Sequence, residues 1–237
     1  NCLEGESVST GISAAYVTLN GKTSVVAGKE DQTIDLTYTV ADDAPFKYSK
    51  SYNDAIWYTL TIRSTKYPAY NEETGKFPNA TSKPAETTLN NIFAFAGNPF
   101  NLVILNGAIG EEQALGLVGD RYKGVALADA DKLTFENNSG HLVFARNANT
   151  VSHVNDVNGE LGEWNNGASA TDGGSSFTFE PVDEEIIKAL FAERGMTLAE
   201  RDMTPVFRDE AGVIGVWGFG VAEHCAAKKG ETGYWIG

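Results

Sequence analysis

The sequence predicts an all-β protein on three observations: a turn-rich composition, runs of alternating apolar residues, and an internal repeat of about 40 residues. The chain has 237 residues, of which 25 are glycine and 7 are proline, and 42% of the residues are hydrophobic. That apolar content is enough for a sizeable core. The many glycines favour short strands joined by tight turns.

An N-terminal strand segment, residues 1–43, is predicted first. The pair Asn20-Gly21 stands between two β-type runs, and Asn-Gly is a strong hairpin signal because both residues tolerate positive φ. We therefore expect a hairpin at this pair. Pro45 then interrupts the strand pattern, since proline cannot continue a central ladder.

The repeat occupies residues 44–182. Its units open with the segments LTIRST, VILNGA and VFARNA, which start 43 and 40 residues apart. They close with FAFAG, LTFEN and FTFEP, which start 40 and 44 residues apart. The closing segments direct Phe95, Phe135 and Phe179 inward. The three units are therefore placed at about 57–99, 100–139 and 140–182.

A unit of this kind cannot bury its own apolar face, so the three units must pack on one another. Three β units of about this length are typical of a β-trefoil, whereas three blades are too few to close a propeller. The predicted fold is therefore a β-trefoil of three repeats with flanking β-strands and a small C-terminal α+β segment.

That C-terminal segment is residues 183–237. The stretch DEEIIKALFAERGM begins with acidic residues, which suit the positive end of a helix dipole. Ile186, Ile187, Leu190 and Phe191 fall on one face of the predicted helix. The apolar, glycine-rich stretch that follows is strand-like and could pair with segment 1–43.

Charge and motifs exclude several functions. The formal net charge of −14 argues against nucleic acid, because phosphate contacts need clustered Lys and Arg. The sequence has no run of about 18 apolar residues, so we expect no membrane insertion. It also lacks the motifs of metal, phosphate and nucleophile sites. We therefore expect a protein that is not an enzyme and has no metal or cofactor. We also expect it to be a monomer.

The stretches APFKYSKSYNDAIWYTLTIRSTKYPAYNEETG and FAFAGNPF resemble a β-trefoil module, ricin-type-lectin-like in fold, of Bacteroidetes secreted and surface proteins. The resemblance covers residues 44–182. It implies an extracytoplasmic module, secreted or at the cell surface, that binds carbohydrate. The Gln-x-Trp signature of ricin-type repeats is missing from all three units, and GEW at 162–164 is the nearest match.

Two cysteines, Cys2 and Cys225, leave three alternatives open. They could form a disulfide that joins the ends of the chain, or they could be free thiols. Alternatively, the N-terminal sequence resembles the start of a mature bacterial surface lipoprotein, in which Cys2 would carry a lipid anchor.

The third unit carries the predicted glycan site. Sugar binding needs an aromatic face for the C–H side of the ring and short polar side chains for its hydroxyls. Asn155 and Asp156 could meet Trp164 in one shallow pocket. Alternatively, Trp164 caps the barrel while the two polar residues hold a turn. The whole predicted set is His153, Asn155, Asp156, Trp164, Asn165 and Asp172.

A secondary candidate lies in the first unit, at Tyr67, Tyr70 and Asn71. Its alternative is a half-buried strand that ends in a polar turn. The predicted function is a non-catalytic, lectin-like protein whose partner is a glycan or glycoprotein. Two other functions stay open: a structural or protein–protein interaction (adhesin-like) module without a glycan ligand, and a β-trefoil protease inhibitor that presents the loop 71–88.

Overall fold

The computed structural model describes residues 4–30, 33, 35–147 and 149–193, together with three strands between 206 and 221. Cys2 and Cys225 lie outside these residues. The described chain is mostly β, and its α-helix is α1 (Glu184–Glu193). The all-β class is thereby confirmed. The strands that precede α1 are β1 (Ser7–Ser9), β2 (Val17–Asn20), β3 (Ser24–Val26), β4 (Thr37–Val40), β5 (Tyr48–Ser49), β6 (Tyr58–Ile62), β7 (Tyr67–Pro68), β8 (Asn79–Ala80), β9 (Ile92–Ala96), β10 (Val103–Asn106), β11 (Gln113–Val118), β12 (Arg121–Ala126), β13 (Leu133–Asn138), β14 (His141–Arg146), β15 (Asn149–Val157), β16 (Glu160–Asn165) and β17 (Phe177–Pro181).

The chain divides into two compact units, residues 1–190 and 191–237. In the second unit, β18 (Val206–Asp209), β19 (Gly212–Val216) and β20 (Gly220–Val221) form an antiparallel sheet in that order. The predicted segments 1–43, 44–182 and 183–237, and the pairing of the last with the first, stay predictions.

Six strands of the first unit follow one another around a ring. β6 pairs antiparallel with β9 and β17, β9 also pairs with β10, and β13 pairs with β14. A bridge between Leu102 and Leu133 links the β10 end to β13, and β14 lies beside β17. The series β6, β9, β10, β13, β14, β17, called the ring below, therefore runs through two separate hydrogen-bonded sheets, and β14 lies beside β17 without a ladder between them.

Three hairpins alternate with the ring strands along the chain: β7–β8, β11–β12 and β15–β16. The third carries most of the predicted site. Its outer strand β16 pairs with β12 at Gly162 and Arg121, and its inner strand β15 pairs with β14. The site hairpin is thus held on both sides.

Aromatic rings pack around Phe46 inside the ring of strands. The Phe46 ring centroid lies 4.0 Å from that of Phe95, 4.8 Å from Phe135 and 5.1 Å from Phe179. Phe179 lies 5.5 Å from Phe95 and 5.8 Å from Phe135. The three phenylalanines that the repeat pattern directs inward therefore meet in one cluster.

The hairpin predicted at Asn20-Gly21 does not form between its flanking strands. Gly21 has a φ of 82° and turns the chain, but β2 pairs with β4 and β3 pairs with β1. The β2–β4 ladder sets Val17 opposite Val40. Tertiary pairing of apolar residues has overridden the local turn signal here.

The helix predicted after residue 183 is confirmed as α1. Asp183 Oδ1 accepts the N–H of Glu185 at 2.8 Å, which satisfies one of the unpaired donors of the first turn. Ile187 is buried, whereas Ile186 is 46% exposed. The predicted apolar face therefore does not include Ile186. In the part of the chain that the structure describes, we find no helix long and apolar enough to cross a membrane.

Candidate functional site

Most of the predicted ligand-binding residues lie on hairpin β15–β16, and its register decides which way each one faces. His153 lies opposite Trp164, and Asn155 lies opposite Gly162. Because side chains alternate along a strand, His153, Asn155 and Trp164 share one face of the hairpin, and Asp156 belongs to the other. The structure therefore does not bring Asn155 and Asp156 to the same side of the strand.

Trp164 presents its ring at the end of β16. The residue is 41% exposed, whereas Trp57 in the core is 2% exposed. Asn165 and Asn166, which follow it, are exposed. Asn166 Oδ1 accepts the N–H of Ala168 at 2.8 Å, which fixes the direction of its amide. The indole therefore stands in a polar, solvent-facing setting.

Residues 166–176, the cap segment, cover His153. The imidazole is 1% exposed, and its Nδ1 lies 2.6 Å from Ser169 Oγ. Ser169 Oγ donates its hydrogen to the Val151 carbonyl, also at 2.6 Å. A hydroxyl has a single hydrogen, so His153 must donate from Nδ1, and its Nε2 is left to face Glu136. That Nε2 lies 3.7 Å from Glu136 Oε2.

The series Ser169, His153 and Glu136 has the residue types of a nucleophile, a base and an acid. Ser169 is 1% exposed, and its hydrogen is committed to a backbone carbonyl. The pKa of Glu136 is lowered, chiefly by His153 and also by the Asn138 amide, while burial opposes the shift. In this geometry the series fastens the cap segment to β15.

Asn155 is 2% exposed and is engaged by the far end of the cap segment. Its Nδ2 donates to Asp172 Oδ1 at 3.0 Å and to Ser175 Oγ at 2.8 Å. A Cβ added at Gly174 would lie 2.7 Å from Asn155 Oδ1 and 2.4 Å from Arg63 Nη2, so a larger residue there would have to displace both side chains. Asn155 and Asp172, both predicted to bind ligand, hold the cap segment in place.

Asp156 belongs to a second polar cluster, which sequence reasoning missed. Asn79 Nδ2 donates to Asp156 Oδ1 at 2.6 Å, and Arg63 Nε lies 3.7 Å from Asp156 Oδ2. Arg63 Nη2 also lies 3.4 Å from Asp172 Oδ1, so one guanidinium joins both carboxylates. Arg63 follows the opening apolar residues of its repeat unit, which is a weak signal. Asn79 has no local signal, because it is 77 residues away from Asp156 along the chain.

A charged network holds β16 beside Trp164. Arg146 donates from Nη1 to Glu163 Oε1 at 2.7 Å and from Nε to Asp131 Oδ1 at 2.9 Å. Ser152 Oγ also donates to Glu163 Oε1. Glu163 immediately precedes Trp164, so the backbone that carries the indole is fixed from the opposite face.

The three residues of the secondary candidate site, Tyr67, Tyr70 and Asn71, lie in three different environments. Tyr70 packs on Phe77, with ring centroids 5.2 Å apart. Asn71 Oδ1 accepts two backbone N–H groups of the turn that it begins. Tyr67 lines a groove between β6, β17 and the chain that follows residue 82. The structure therefore does not bring Tyr67 together with the other two residues.

No protein-family model and no curated protein matches this sequence. Solved structures match parts of it. A GlcNAcα1-4Gal-releasing endo-β-galactosidase from Clostridium perfringens is 15% identical over 54% of this chain and 33% of its own, with a TM-score of 0.46. The Rhizoctonia solani agglutinin is 13% identical over 54% of this chain and 96% of its own, with a TM-score of 0.42. An arabinofuranosidase complexed with arabinofuranosyl-α-1,2-xylobiose is 12% identical over 60% of this chain and 34% of its own, with a TM-score of 0.45. This chain thus spans about a third of the length of two of these proteins, and no functional argument follows from likenesses this low.

Proposed function

We propose that this protein binds carbohydrate through the face of Trp164 and performs no chemistry on it. The observation that carries the proposal is the exposed indole on a regular strand, in a polar setting. A ring in this position offers an apolar plane to the C–H face of a sugar. The side chain of Asn165 belongs to the opposite face of β16, so the amide of Asn166, in the turn that follows, is the neighbouring group suited to sugar hydroxyls.

The platform is held in place before a ligand arrives. Pairing with β15 fixes the backbone of Trp164, and the contacts of Glu163 with Arg146 and Ser152 fix the preceding residue. The cap segment that follows is anchored by His153 and Asn155. Because little has to be ordered on binding, little affinity is lost to conformational entropy. The buried members of the predicted set thus act as positioning residues rather than as ligand contacts.

The finer fold assignment is also a proposal. A series of six strands, alternating with three hairpins, is the order that a β-trefoil requires, and this supports the trefoil. A glycan or glycoprotein partner, a monomeric state and a location outside the cytoplasm, secreted or at the surface, accord with such a module. The Bacteroidetes origin and the lipid anchor at Cys2 rest on resemblance alone.

A glycan-array screen of the full chain tests the carbohydrate proposal. We expect the wild type to bind at least one glycan class, Trp164→Ala to lose about tenfold or more in affinity, and Trp164→Phe to lose less. The control is Val118→Ala, which removes an apolar side chain that is 48% exposed elsewhere. Unfolding by urea checks that each variant is folded.

The interaction-module alternative has one observation in its favour. Val151 is 45% exposed and lies on the same face of the hairpin as Trp164, and exposed apolar side chains on one face can contribute to a protein-binding surface. An array without any bound glycan, with all variants folded, would overturn the carbohydrate proposal and favour this alternative.

A further inference from the structure

A groove of about 370 Å³ lies outside the ring, away from the hairpin that carries Trp164. Its floor includes Thr59 and Thr61 of β6, and Glu180 and Pro181 of β17. Tyr67 lines it as well, and Trp164 does not. The volume lies in the range of about 300–1,000 Å³ that is usual for ligand sites.

The walls of the groove are fixed by hydrogen bonds. Asn91 is 7% exposed; its Oδ1 accepts the N–H of Thr88 at 2.9 Å, and its Nδ2 donates to the Glu86 carbonyl at 3.0 Å. These bonds fix the conformation of the chain after residue 85, which forms one wall of the groove. Asp183 holds the helix start at the other end of the groove through its bond to the N–H of Glu185. The floor is the β6–β17 ladder, so the groove is largely pre-formed.

The ammonium group of Lys83 already lies in the groove. Lys83 comes from the loop wall and Glu180 from the floor, and Lys83 Nζ lies 2.7 Å from Glu180 Oε2. Both side chains remain more than 60% exposed, at 62% and 63%. An exposed pair of this kind contributes little to stability. An incoming cation can therefore displace the lysine at small cost.

The remaining lining defines the class of ligand. Glu86 and Asp183 add two carboxylates that Lys83 does not balance, while Tyr67, Ile186 and three prolines supply apolar surface. The apolar surface suits the alkyl stem of a long cationic side chain. The elongated lining with the Tyr67 ring suits an extended peptide, because extended proline-containing segments dock in grooves lined by aromatic rings. We propose that the groove binds a lysine side chain presented by an extended peptide, whose ammonium replaces that of Lys83 at Glu180.

Calorimetric titration of the full chain tests this proposal with two peptides. The first is a capped decapeptide of alternating lysine and proline, and its twin carries acetylated lysines. We expect the acetylated twin to bind at least about tenfold more weakly, because it keeps the shape and loses the charge. Lys83→Met should bind the lysine peptide several-fold more tightly, since it removes the internal competitor.

Lys76→Met is the matched control, because it also removes one positive charge and breaks an ion pair, that of Lys76 with Glu160 at 3.2 Å. It should change the affinity less than twofold. The double variant Glu86→Gln/Asp183→Asn should weaken binding about tenfold, and its asparagine preserves the helix cap.

Trp164→Ala should leave peptide binding unchanged, so this result is independent of the carbohydrate proposal. Equal binding of the two peptides, equal effects of Lys83→Met and Lys76→Met, or no binding to either the wild type or Lys83→Met would each overturn the proposal.

Discussion

At the scale of single residues, one buried hydroxyl opposes stability. Tyr122 is fully buried, and its OH has no hydrogen-bond partner among the described residues. An unsatisfied polar group in this position loses its hydrogen bonds to water on folding and gains none in the protein, which destabilises the folded state. Burial also raises the pKa of Tyr122 well above the usual value of 10.0, with Asp131 and Glu163 adding to the shift and Arg146 opposing it.

Replacing Tyr122 with Phe should therefore raise the free energy of unfolding at pH 7 by about 1–3 kcal/mol. Because the folded pKa is raised, the unfolded phenol ionises first as the pH passes about 10, and the wild type loses stability there. The advantage of the Tyr122→Phe variant should consequently widen between about pH 10 and 11. Urea unfolding at both pH values measures this difference.

The control at this scale is Tyr52→Phe. The Tyr52 hydroxyl donates to the Gly107 carbonyl at 2.8 Å, so its removal should cost about 0.5–1.5 kcal/mol. If Tyr122→Phe is destabilised by as much as Tyr52→Phe, the Tyr122 hydroxyl has a favourable partner after all.

At the scale of elements, the site hairpin depends on how closely β16 approaches β12. Gly162 lies opposite Arg121, and a Cβ built there would lie 2.6 Å from the Asp120 carbonyl oxygen. That oxygen belongs to the backbone and cannot rotate away. The glycine is therefore needed for the close approach that places Trp164 beside the cap segment.

Gly162→Ala should destabilise the protein by about 1–3 kcal/mol, because β16 must move off β12. It should also lower glycan affinity, because Trp164 moves with β16. Gly167→Ala is the control, since a Cβ there meets nothing within 4 Å. Chemical denaturation followed by tryptophan fluorescence measures the change. Equal stabilities of the two variants would show that β16 has room to shift.

At the scale of the whole molecule, Phe46 joins strands that are distant in sequence. Its ring contacts those of Tyr58 on β6 and Phe95 on β9, as well as Phe135 on β13 and Phe179 on β17. No local pattern marks this residue as central, since it follows a proline in an irregular stretch. It is 2% exposed and lies where the ring strands converge.

Phe46→Ala should cost about 3–5 kcal/mol, because it leaves a cavity that several rigid strands surround. Tyr38→Ala is the aromatic control: Tyr38 is 40% exposed and makes an edge contact with Phe100, with ring centroids 5.7 Å apart. It should cost about 0.5–1.5 kcal/mol. Thermal and urea unfolding compare the two variants, and a similar cost for both would show that Phe46 is not the centre of the core.

The sequence by itself determined the β class, the start of α1 and the inward direction of Phe95, Phe135 and Phe179. It also marked Trp164, through its polar neighbours. These features follow from local periodicity, composition and capping, which act within a few residues. Whether Asn155 and Asp156 face one pocket could not be decided in this way. That question depends on the β15–β16 register and on contacts such as Asp156 with Asn79.

Only the tertiary structure assigned His153 and Asn155 to the support of the cap segment, separated Tyr67 from Tyr70, and redirected β2 from β3 to β4. The physical reason is the same in each case. Long-range pairing and burial offer more free energy than a local turn or a neighbouring side chain, and they depend on residues far apart in the chain. A sequence read locally shows which side chains are suited to a task, and the packed structure decides which of them are left exposed to perform it.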